Sequence, residues 1–560
     1  MKAILKSFFI VALWITFATS CIEEIDPMGQ GARVTVDQAG NAPNSYNNFV
    51  NAITSTLVGA FTYSGGSHTP YDYGYPSFFL MRDYMGNDLA VSGDNNWYST
   101  WYICGTGLGP GYAACQYPWT YFYKWIKNCN TVIYLAGEEP EAEKQTGAGI
   151  AYAMRAMFYS DLAQMFAPKT YAEDKEALTV PLQLETTTVA DAAHNPRVTN
   201  EMMWEFILSD LDKAEVYLAG YKRTDIYTPD LSVVYGLKAR AYLVMEDWAN
   251  AVKYAKLAQN GYSMMTKEQY TSRETGFNTP NSSWMFGVTF MPTDPNILEN
   301  DGDSSWASWM SIELNPTVSG CGYASNYGQP PIIDRHLYET MPATDFRKDC
   351  FVDFALDGLS EDDCIKALEA YSDYPDWVYL TGHDSNYKRV GGLSLKFRLA
   401  GGNAGHDNQY IGFVVAVPVM RVEEMYLIEA EAAGMQNEGN GIALLTAFAQ
   451  TRDASFVYGT HTDAYGNTST PQFRNEVWWQ RRAEFWGEGL ATYDIKRLKK
   501  GIIRSYANSN HQSPYRWNIT TTPNWMTFCI VQTDTNYNSS IKESDVPIQP
   551  DLKDHDEYQW

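Results

Sequence analysis

The stretch LSVVYGLKARAYLVMEDWANAVKYAKLAQ, residues 231–259, decides the fold. Apolar residues recur every three or four positions on both sides of Glu246-Asp247, so it reads as two helices, 231–246 and 248–259, joined by a tight turn. Ala239, Ala241, Ala251 and Ala255 let the two backbones approach closely, while Tyr242, Trp248 and Tyr254 are bulky enough to fill the groove between them. The same periodicity predicts helices over 119–136, 143–166, 200–218, 421–435, 441–452 and 475–487. In 200–218 the stripe is Met203, Phe206, Ile207, Leu211, Ala214 and Leu218, with Asp210 and Asp212 outside it and Thr199 or Asn200 as the cap.

Helical hairpins of this kind resemble tetratricopeptide repeats, although no strict 34-residue period is visible, so they read as degenerate repeats. The expected fold is mainly all-α, with degenerate tetratricopeptide-like helix pairs, long loops and small β-hairpins. Residues 261–417 are crowded with Gly, Asn, Asp, Ser and Pro and broken by short β-like pieces at 283–290 and 392–398. A second loop-rich, aromatic zone covers 59–117. Loops this long are usually functional, and the two zones are the candidate walls of one binding site.

The N-terminus has Lys2 and Lys6 followed by the apolar run SFFIVALWITFAT, 7–19, too short to span a bilayer but suited to a signal peptide. It leads through Ala18-Thr19-Ser20 into Cys21, a lipobox-like arrangement that predicts cleavage after residue 20 and lipidation of Cys21, palmitate included. Multiple acyl chains give stable anchoring. Residues 21–47 read as a tether and 48–560 as one domain, divided into 48–260, 261–417 and 418–560.

A formal charge of −25 argues against nucleic acid, which needs clustered Lys and Arg. Seven cysteines remain after Cys21, with Cys104 and Cys115 the closest plausible couple. Aromatic residues reach 14%, and Tyr and Trp join an apolar face to a polar handle, suiting both a core and a binding surface. Asp294, Asn296, Asn300, Asp301 and Asp303 make an oxygen-rich loop without EF-hand spacing. A solvated turn is the plainer reading, calcium the alternative, and no other cofactor is expected. Paired carboxylates such as Glu423/Glu424 and Glu484/Glu488 read as structural, since they sit on apolar helices beside Arg421 and Arg497, and no catalytic motif accompanies them.

Several segments together resemble the SusD/RagB family of outer-membrane nutrient-binding lipoproteins. They are GIAYAMRAMFYSDLAQMF (149–166), VPL (180–182), PRVT (196–199), Asp345-Phe-Arg347, PVMRVEEMYLIEAEA (418–432), RRAEFWGEG (481–489) with Asp494 and Arg497, and PIQP (547–550). Leu490 departs from the pattern, standing where the family often has Arg. The acidic Glu23-Glu24 after Cys21 also resembles the surface-export signal of Bacteroidetes lipoproteins.

The resemblance implies a non-enzymatic, SusD-like lid on the outer membrane, lipid-anchored and facing the exterior. It would bind a glycan and pass it to a SusC-like TonB-dependent transporter. Peptide cargo is the alternative, and a glycoside hydrolase a more distant one. Carrying the family's binding loops over implies a first site wall in 82–101, with Asp83, Asn95, Asn96, Trp97 and Trp101 as ligand-binding residues. Trp284, Trp306, Trp309 and Tyr323 are added from the second zone. Sugar rings stack C–H faces on Trp and Tyr while Asn and Asp pair with hydroxyls.

Overall fold

The computed structural model describes residues 36, 40, 42, 44–60, 69–91, 96–298, 303–317, 322–326, 329–383, 388–544 and 549–560. The signal peptide, Cys21, Glu23-Glu24 and Asn95 lie outside the described residues. The chain forms two compact units, residues 1–49 and 50–560, and the second carries every helix and strand from Ser77 onward.

The hairpin folds as its sequence predicts, with α6 (Leu231–Met245) and α7 (Trp248–Ala258) packed on each other. Asp230 starts α6 by accepting from the Ser232 and Val233 amides. Glu246 ends it in the left-handed region at φ 57°, and Asp247 caps α7 by accepting from Asn250 N–H. Before this pair come α1 (Ser77–Tyr84), α2 (Ser99–Ile103), α3 (Ala113–Ala136), α4 (Ala142–Phe166) and α5 (Asn200–Tyr217). α4 packs on both α3 and α5. α3 begins six residues earlier than its periodicity suggests. Pro118 forfeits only one amide donor there, and the added turn buries Ala114, Cys115, Tyr117 and Pro118. Thr199, not Asn200, caps α5.

The expectation that Asp210 lies outside the α5 stripe is corrected. Asp210 is buried and takes two hydrogen bonds from Arg155 of α4, at 2.7 and 2.9 Å. A matching guanidinium on the facing helix makes burial of that carboxylate tolerable. Asp212 stays exposed and pairs with Lys238.

Between α7 and the C-terminal helices, α8 (Trp306–Met310), α9 (Tyr323–Asn326) and α10 (Pro375–His383) are short. They are followed by α11 (Val422–Gln436), α12 (Glu438–Gln450), α13 (Gln472–Glu484) and α14 (Ala491–Arg497). α11 packs on α7 and α12. Gly441 of α12 makes the crossing with α11 possible, since a Cβ there would meet the Gly434 Cα at 2.3 Å.

Every β-ladder among the described residues is two-stranded and antiparallel. β2 (Leu178–Pro181) pairs with β3 (Arg197–Thr199), and β7 (Ile502–Ile503) with β8 (Asn518–Ile519). β1 (Leu89–Ala90) pairs with β5 (Ile332–Ile333), and β4 (Trp284–Thr289) with β6 (Ala416–Arg421). These last two ladders are not local hairpins. They tie the first loop zone to the second, and the second to the start of α11.

One charged network underlies the C-terminal helices. Glu484 of α13 meets Arg421 at 3.0 Å, Arg452 at 3.0 Å and Arg347 at 3.4 Å, all fully buried. Glu488 holds Arg421 and Lys396, and Glu423 holds Arg421 and Arg452. Glu424 is clamped by Arg240 of α6. These carboxylates are committed to structure, which removes them from catalytic roles. Cys104 and Cys115 are not bridged: both are buried thiols, donating to the Trp101 and Leu108 carbonyls. No helix among the described residues is long and apolar enough to cross a membrane.

Candidate ligand-binding site

The two loop zones also meet at the turn that leads into α2. The Trp97 backbone N–H donates to the Tyr323 hydroxyl at 3.0 Å, and the Asn96 side-chain amide donates to the Gln329 carbonyl. The Asn96 side-chain oxygen accepts from Tyr98 N–H, fixing the turn that leads into α2. Trp309 closes the joint. Its ring lies 3.7 Å from that of Tyr323 at 23°, and meets Tyr98 edge-on at 4.7 Å. The Trp309 indole N–H donates to the Pro70 carbonyl, and Ser308 Oγ accepts from Tyr323 N–H.

On this framework one ring faces solvent: Trp97 is 48% exposed, whereas Trp309 and Tyr323 are buried. Tyr71 lies beneath it, 6.2 Å from Trp97 and 5.3 Å edge-on from both Trp101 and Tyr117. Burial pushes the phenols of Tyr71, Tyr98 and Tyr117 upward, so they stay neutral throughout the physiological range. Tyr71 was not singled out by sequence; the aromatic density of 71–75 (YDYGY) was the available signal. Beside α9 packs α10, where Trp377 stacks on Tyr374 at 4.5 Å and 9°, both half-buried. That second aromatic face also escaped the sequence reading, because its rings are spaced like helix packing residues.

The remaining sequence candidates are placed otherwise. Trp101, Trp306 and Trp284 are each at most 1% exposed. Trp306 meets Phe79 and Phe397 edge-on, and Trp284 sits in β4 opposite Arg421. Their apolar area is spent in the core, where no sugar reaches it. Asp83 is buried and accepts from the amides of Gly489 at 2.9 Å and Ala491 at 3.2 Å. Burial raises its carboxyl to about 7, with those two amides pulling the other way. Asp83 is therefore a brace between α1 and the start of α14. Asp83→Ala is expected to leave two buried amides unsatisfied and cost about 2–3 kcal/mol. Thermal unfolding should show that loss, with glycan binding unchanged below the transition.

In the oxygen-rich loop, Asn296 is buried and donates to the Asp72 and Ser304 carbonyls, while Asp294 accepts from Met291 N–H. Asn300 and Asp301 lie outside the described residues. Among the described residues no cluster of three or more His, Cys, Asp or Glu side chains is arranged to hold a metal.

Two family models match the chain: the SusD family over residues 334–558, and "starch-binding associating with outer membrane" over residues 83–243. No curated protein matches it in sequence. Among solved structures, a SusD-like carbohydrate binding protein from Bacteroides vulgatus is similar at TM-score 0.68 and 20% identity, covering 89% of this chain and 97% of that one. A SusD superfamily protein from Bacteroides thetaiotaomicron is similar at 0.62 and 18%, covering 91% and 99%. A laminarin binding SusD-like protein is similar at 0.58 and 16%, covering 89% and 98%. At these identities the structures show a shared fold, and the matched segments carry the Arg421, Glu484 and Arg155 motifs that build its core. The chain belongs to the SusD/RagB family.

Proposed function

We propose that this protein is a cell-surface lipoprotein that binds a glycan and delivers it to a partner TonB-dependent outer-membrane transporter, without chemistry of its own. The observation that carries the reading is Trp97: a half-exposed indole held by buried rings from two distant loops. A large aromatic face kept rigid by its neighbours loses little entropy when a pyranose ring stacks on it. The family description supports an outer-membrane setting, and the lipobox-like leader ending at Cys21 supplies a means of attachment. The acidic charge favours neutral glycans over polyanionic ones. Titrating the purified protein with neutral oligosaccharides and polysaccharides, beside a set of peptides, tests the reading. Saturable glycan binding with no release of reducing ends is expected. Binding of peptides alone, or hydrolysis of a glycan, would overturn it.

A further inference from the structure

A cavity of about 50 Å³ lies where α1, α4, α6, α13 and α14 converge, and its polar lining is unusual. Four of its wall residues are carboxylates, and all eight of their oxygens are already taken. Asp161 accepts from Tyr75, Arg82 and Tyr493, and Glu424 accepts through both oxygens from Arg240. Glu488 accepts from Lys396 and Arg421, and Asp494 from Arg481 and Arg497.

The guanidinium groups of the same wall are not saturated. Arg82 Nε, one terminal nitrogen of Arg481 and one of Arg497 are buried without a hydrogen-bond partner. Their side chains are 3%, 4% and 6% exposed. Three cationic side chains that line one small void, from three different helices, thus each carry a buried donor without a partner. Each oxygen of the four wall carboxylates already accepts at least one hydrogen bond. A buried cationic donor without a partner is costly, and charge-assisted bonds to an anion are the strongest way to satisfy it. A void of this size holds a few water-sized groups and is too small for a sugar ring.

We propose that this cavity is a binding site for a small monovalent anion of halide size, held by Arg82, Arg481 and Arg497. The ion joins the helix that precedes the aromatic site to the C-terminal helices, independently of glycan binding. Crystals of the purified protein grown in sodium bromide, with data collected at the bromine edge, test this directly. An anomalous peak inside the cavity within hydrogen-bonding reach of these arginines is expected. In parallel, the unfolding midpoint should rise by about 1–2 °C for each tenfold increase in bromide above its dissociation constant at constant ionic strength, with sodium gluconate as the balancing salt. Leu490→Glu, which puts a carboxylate on the cavity wall, should abolish both the peak and the bromide dependence. Ordered water without anomalous signal in the wild-type protein, together with a midpoint indifferent to bromide, would show a hydrated cavity and overturn the proposal.

Discussion

Glu484→Ala is expected to destabilise the protein by about 3–5 kcal/mol, the typical result of removing one partner from a buried ion pair. The expectation rests on position. Glu484 is the shared counter-charge of Arg347, Arg421 and Arg452, and none of the four side chains is more than 1% exposed. Its loss takes one carboxylate from each of three buried guanidinium groups, leaving Arg347 on Asp345, Arg452 on Glu423, and Arg421 on Glu423 and Glu488. Glu484→Gln keeps the shape and one acceptor oxygen, so it should fall between wild type and alanine. Thermal unfolding of the three forms would check the order; equal midpoints would mean that the arginines find other partners.

The same network sets the response to acid. Burial alone would raise the carboxyls of Glu484 and Glu431. Arg452, Arg421 and Arg347 overcome it at Glu484 and hold that group well below the usual carboxylate range. Arg497 and Arg474 do the same at Glu431, lowering it to about 2 from an ordinary 4.5. A carboxyl whose folded value is depressed contributes stability that is present above its unfolded value and lost as pH falls through the folded one. Stability from these two groups should therefore hold down to about pH 4.5 and then decline toward pH 2. Asp83 runs the other way. Its raised value means that it favours the folded state when protonated, fully below about 3.8, and that this contribution is lost as pH rises through about 7. The Glu484→Gln variant should show a shallower acid slope than wild type.

Trp97→Ala should weaken binding of any recognised glycan by about 2 kcal/mol, roughly thirty-fold in Kd, as expected for an aromatic anchor. The unfolding midpoint should barely move, because half of that indole already faces solvent. Trp309→Ala supplies the contrast. Its ring is buried under Tyr323 and anchored to the Pro70 carbonyl, so truncation should cost about 3–5 kcal/mol of stability. Binding titrations paired with thermal melts distinguish the two variants. Glycan binding unaffected by Trp97→Ala would remove the exposed indole from the site.

Much of the helical fold was legible in the sequence because helix formation is local. The 231–259 periodicity and the small residues along it define a hairpin without reference to the rest of the chain, and the Asp230 and Asp247 caps found in the structure act over the same few residues. The long stretch 261–417 was legible as loops with short β-like pieces, of which 283–290 contains β4, but its pairing was not. β4 finds its partner more than a hundred residues away in β6, and β1 finds β5 at still greater separation.

The site divides the same way. Sequence alone identified the aromatic zones on both sides and included Trp97, Trp309 and Tyr323 among their residues. It had no means to separate the exposed ring from Trp101, Trp284 and Trp306. Composition and spacing report that a residue is aromatic, whereas burial depends on which distant segment covers it. The sequence by itself thus determined the helical hairpins and the apolar residues of their contacts, since periodicity acts over a few residues. The tertiary structure alone decided which indole faces solvent, that Asp83 and Asp210 are buried, and where three arginines converge. Each of those outcomes is set by neighbours far away in the chain.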